Sequence, residues 1–78
     1  MASTFSVSLH RAEHTRHYSI EPQSGSGWEV KLEEDRAVCH RAFYRDWHRV
    51  ERALEAFRLE VRNLMSRGWT IGAKPGED

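Results

Sequence analysis

The chain predicts an α+β fold: an antiparallel β-meander of three to four strands packed on one long C-terminal α-helix. Three observations predict it. The N-terminal segments alternate apolar and polar residues at a period of two, the mark of a strand with one buried face. A Gly/Ser loop separates two of these segments at hairpin spacing. From Trp47 the apolar spacing changes to three and four, which draws a single stripe along a helix. A sheet with one apolar face and a helix with one apolar stripe cover each other.

Phe5-Ser-Val-Ser-Leu9 alternates, so Phe5, Val7 and Leu9 are expected to face inward. His10 to Thr15 is polar and carries no strong breaker, which leaves that turn loosely defined. Arg16-His-Tyr-Ser-Ile20 alternates again, with Tyr18 and Ile20 inward, and Pro22 ends the strand because it lacks a ladder donor. Gln23-Ser-Gly-Ser-Gly27 is a loop. Trp28-Glu-Val-Lys-Leu32 then points Trp28, Val30 and Leu32 inward, so 16–21 should pair with 28–33. Glu33 to Arg36 is the next turn. Ala37 to Tyr44 reads as a strand with an ambiguous face, since Val38/Ala42/Tyr44 and Cys39/Phe43 both claim the inside.

The helix is predicted over about 46–67. Asp46 offers an N-cap acceptor. Trp47, Val50, Leu54, Phe57, Val61 and Leu64 form the stripe, widened by Ala53 and Met65. Gly68 is placed to stop the helix in a left-handed conformation, with Trp69 folding back on Leu64 or Met65. Thr70-Ile71 can add a short extended piece. Residues 1–4 and 72–78 are expected to be disordered ends of one domain spanning 1–78.

Seventy-eight residues, 38% hydrophobic and 31% charged, make one globular domain at most. No apolar run approaches the roughly 18 residues that span a bilayer, and the N-terminus lacks the charge and apolar core of a signal peptide. One cysteine, Cys39, excludes an internal disulfide framework and suits a reducing cytoplasm. A domain this small buries too little surface to be very stable alone, which favours self-association. The net charge is zero, but residues 36–67 hold eight arginines against Asp46, Glu51, Glu55 and Glu60, so the remainder is acidic.

Catalytic signatures are weak. Cys39 has His40 as its neighbour, but adjacent strand residues face apart, so no activated nucleophile is expected. Gly25-x-Gly27 opens no helix and is not a phosphate loop. Glu33-Glu34-Asp35 reads as a solvated turn. His10, His14 and His17 with Cys39-His40 contain zinc-type ligands, but the spacing suits no closed site, so neither metal nor cofactor is expected.

The face of the helix opposite the stripe carries Arg49, Arg52, Ala56, Leu59, Asn63 and Arg67, with Arg45 near the same line and Glu60 at the margin. Arg45, Arg49, Arg52 and Arg67 are therefore the candidate binding residues for an anionic partner. The flank carries Glu51, Glu55, Arg58 and Arg62, where Glu55–Arg58 and Glu51–Arg58 are expected to neutralise each other.

The hairpin Tyr18-x-Ile20-x-Pro22, Gly27-Trp28-x-Val30 followed by one C-terminal helix resembles small uncharacterised bacterial domains built as a β-meander and a helix. The Tyr…Trp layout is also similar to that of the Trp-Gly-Arg DNA-associated domain. That signature is absent here, since Arg67-Gly68-Trp69 runs in the reverse order at a helix end. The resemblance implies a fold and no chemistry. The expected function is a non-enzymatic bacterial interaction module, with a homodimer or an unknown protein partner and no membrane. The alternative is a nucleic-acid-binding module using the Arg-rich helix face.

Overall fold

The structure, a computed structural model, describes residues 4–72. Four strands run in meander order: β1 (Phe5–Arg11), β2 (His14–Pro22), β3 (Trp28–Glu34) and β4 (Ala37–Tyr44). The helix α1 (Trp47–Ser66) follows, then a two-residue strand β5 (Thr70–Ile71). The antiparallel sheet has the order β4-β3-β2-β1-β5. The α+β class and the long helix agree with the sequence expectation. The fifth strand adds to it, as Leu9 pairs with Ile71 and His10 with Thr70.

Alternation places the inner face as predicted. Val7 opposes Tyr18, Ile20 opposes Val30, and the β2–β3 hairpin runs from Arg16↔Glu34 to Pro22↔Trp28. It is one residue longer than expected. The loosely read segment 10–15 is instead a tight turn: β1 and β2 extend to Arg11 and His14, and Ala12 takes φ 55°. Between β3 and β4, Asp35 and Arg36 have φ 52° and 71°, the two positive values of a turn that matches strand twist.

The ambiguous strand has a physical explanation. Leu32 opposes His40 while Glu33 opposes Val38, so Cys39 is the extra residue of a β-bulge. The bulge reverses the phase of the alternation. Ala42 and Tyr44 sit opposite Val30 and Trp28 on the inner face. Phe43 and Val38 fall on the outer face, and Phe43 is 62% exposed.

Asp46 caps α1 by accepting from the His48 amide at 3.0 Å. At the other end Trp69 N–H donates to Leu64 and Gly68 N–H to Met65, with Gly68 at φ 104°. These two bonds satisfy carbonyls that the last turn leaves open. They also reverse the chain, which delivers Thr70 and Ile71 to the β1 edge. The expected disorder at 1–3 and 73–78 lies outside the described residues. At the margins, Thr4 donates to the Ile20 carbonyl and Gly72 to that of Ser8.

The core is Leu9, Tyr18, Ile20, Val30, Val50, Phe57 and Val61. Phe57 meets Tyr18 edge-on at 4.8 Å and Phe5 at 6.3 Å. Trp47, read from the sequence as core, is 40% exposed and leans on Trp28 at 5.1 Å. Trp69, expected to fold back on Leu64 or Met65, is half-buried against the core.

One helix does not span this sheet. Five strands at about 4.8 Å spacing reach about 20 Å between edges, and a helix with side chains covers about 10 Å. The helix runs from Trp47 against Trp28 at the start of β3 to Phe57 against Tyr18 of β2 and Phe5 of β1. A groove is left beside it on the β4 side and a hollow on the β1 side.

Candidate functional site

The corner next to β4 contains most of the arginines singled out above. Arg49 and Arg52 border a groove with Tyr44 and Ala53. Arg45 lines the adjoining hollow with Trp28, Phe43 and Tyr44. Tyr44 therefore belongs to both. Neither groove has a carboxylate in its lining. Arg67 does not join them: it caps the far end of α1, about 27 Å along the axis from Arg49 at 1.5 Å per residue.

The acids near this face are not where the sequence suggested. Glu60 turns to the sheet, where its Oε1 accepts from the Tyr18 hydroxyl at 2.8 Å and lies 3.9 Å from Arg16. Arg49 and Arg52 instead share a second groove, over the exposed side of the helix, with Asp46, His48, Glu51 and Glu55. Arg49 and Arg52 thus border carboxylates on one side and the Tyr44 groove on the other.

A polar network holds the helix to β2. Arg16 donates to the Tyr18 hydroxyl at 3.0 Å and, through Nε and Nη2, to Glu34 Oε2 at 3.3 and 3.2 Å. Tyr18 is fully buried. Burial, then the bond to Glu60, holds its phenol above the usual value, so it stays neutral. Reading Tyr18 only as an apolar residue overlooked this network. The hint in the sequence is that Arg16 shares the inner face with Tyr18, whose hydroxyl needs a partner when buried.

Cys39 is exposed at the bulge, 3.6 Å from Glu34. Desolvation by its surroundings, then the Glu34 carboxylate, raises its pKa, opposite to thiolate activation. His14 bonds Asp35 at 3.2 Å, His17 shares a bond with Ser8 at 2.7 Å, and His10 with Thr70 at 3.1 Å. No group of three or more possible metal ligands occurs among the described residues. No helix there is long and apolar enough to cross a membrane.

The corner next to β1 is apolar. Phe5, Val7, Val61 and Met65 line a shallow hollow whose rim is Arg58 and Arg62. Met65 and Ile71 are exposed. The expected neutralisation within the helix does not occur: Glu55, Arg58 and Arg62 take part in no ion pair among the described residues, and Glu51 lies 3.8 Å from His48. Arg58 and Arg62 border the hollow instead. Comparison with protein-family models, with curated proteins and with solved structures finds no match to this chain.

Proposed function

We propose that the protein is a non-enzymatic interaction module that self-associates into a homodimer. The observation that carries this reading is the mismatch between one helix and a five-stranded sheet. It leaves the hollow of Phe5, Val7, Val61 and Met65 unroofed beside exposed Ile71. A second copy adds the core that a domain of this size lacks. The resemblance to small bacterial domains and the single exposed cysteine support a setting in the bacterial cytoplasm. Light scattering on the eluting protein tests the reading: twice the 9.1 kDa monomer mass is expected, and a monomer mass throughout a concentration series defeats it.

A second reading is favoured by the carboxylate-free grooves around Tyr44. Arg45, Arg49 and Arg52 beside Trp28, Phe43 and Tyr44 combine phosphate-binding charge with rings on which bases stack. Binding to a single-stranded oligonucleotide that falls steeply with salt supports it. An acidic peptide binding equally well points to a protein partner instead.

A further inference from the structure

We infer that Glu51, Glu55, Arg58 and Arg62 form the seam of a two-fold dimer in which two copies of α1 pack antiparallel. This rests on the self-association reading and specifies its geometry. At about 100° per residue the four side chains occupy an arc of about 60° on one flank of the helix. All four residues are exposed. The two acids lie toward the N-terminal end of α1 and the two arginines toward its C-terminal end. Within one chain this order is unfavourable, because Glu51/Glu55 and Arg58/Arg62 are both like-charge pairs at i,i+4. No ion pair joins either acid to either arginine, and the cations near Glu51 and Glu55 are His48, Arg49 and Arg52 instead.

A two-fold axis removes the conflict. Glu51 and Arg62 are equidistant from a point between Ala56 and Phe57, and so are Glu55 and Arg58. An antiparallel copy centred there sets Glu51 against the second copy's arginine at 62 and Glu55 against the one at 58. The axis repeats both pairs, as any isologous contact must. The same operation brings the half-exposed Trp47 of one copy to the level of Ser66 in the other, next to Met65 of the apolar hollow. Charge order, apolar ends and the unroofed corner agree on one partner, a second copy of this chain. None of the four seam residues lines the Tyr44 groove.

The test is a charge exchange in two full-length variants, Glu51→Arg/Glu55→Arg and Arg58→Glu/Arg62→Glu. Each presents four like charges to itself, and each complements the other. Masses are read by light scattering in about 50 mM salt, where surface charges are weakly screened. Wild type is expected as a dimer. Each variant alone should dissociate about tenfold or more readily, and an equimolar mixture should restore the dimer. Circular dichroism confirms that both variants fold, and recovery on mixing requires it. If wild type is dimeric and both variants remain so alone, the seam is wrong while self-association stands. Folded variants that stay monomeric on mixing also overturn the seam. A monomeric wild type overturns self-association and the seam together.

Discussion

Replacing Phe57 with Ala tests the register of the helix on the sheet. Phe57 is 7% exposed and sits over the middle of the inner face, edge-on to Tyr18 at 4.8 Å and 6.3 Å from Phe5. Truncation removes the transfer energy of the ring and leaves a cavity, together about 3 to 5 kcal/mol. The edge-on contact with Tyr18 adds to ring burial, as aromatic pairs contribute about 0.5 to 1.5 kcal/mol beyond area. The neighbouring hollow lets side chains relax inward, so about 4 kcal/mol is expected, a large part of the stability of a 78-residue domain. Leu59→Ala is the control. Two residues away, Leu59 is 58% exposed and should change stability by under about 0.5 kcal/mol. Urea unfolding followed by far-ultraviolet circular dichroism, at a concentration low enough to populate monomer, compares the two. Equal midpoint losses would refute the placement of α1.

Three further outcomes follow from the same geometry. Gly68→Ala should cost about 1 kcal/mol in thermal unfolding and Gly68→Val more, because φ is 104° and a β-carbon there is strained; unchanged melting would contradict the helix stop. Tyr18→Phe should cost about 1 to 2 kcal/mol, since Glu60 and Arg16 lose the hydroxyl between them. The Tyr18 pKa is raised on folding, so its contribution is full below about pH 10 and is lost as pH rises through the folded value. Wild type should therefore lose stability in alkali more steeply than Tyr18→Phe, and parallel pH profiles would count against the buried phenol. Arg49→Gln with Arg52→Gln should weaken single-stranded oligonucleotide binding and flatten its salt slope by about one to two units, with melting almost unchanged; an unaltered slope would remove these residues from the contact.

Local patterning determined most of the architecture. Period-two alternation in Phe5–Leu9, Arg16–Ile20 and Trp28–Leu32 selects the inner face of β1 to β3, because a pleated strand exposes alternate residues to opposite sides. Asp46 and Gly68 bound the helix because its terminal amides and carbonyls need partners within one turn. Those effects act over a few residues and are legible in order along the chain. The candidate arginines were legible as a helix face, yet which of them act together was not. Arg45, Arg49 and Arg52 meet around Tyr44 only because the end of β4 lies beside the start of α1, while Arg67 is left at the other end. The tertiary structure likewise decided the face of β4. The bulge at Cys39 depends on how that strand registers against Leu32 and Glu33, and one extra residue turns every side chain beyond it to the other side. It also decided that Glu60 serves Tyr18 and Arg16, a pairing across 42 residues of chain that forms when the helix crosses β2. Such contacts depend on where two elements pack, and the spacing of residues within either element carries no record of that.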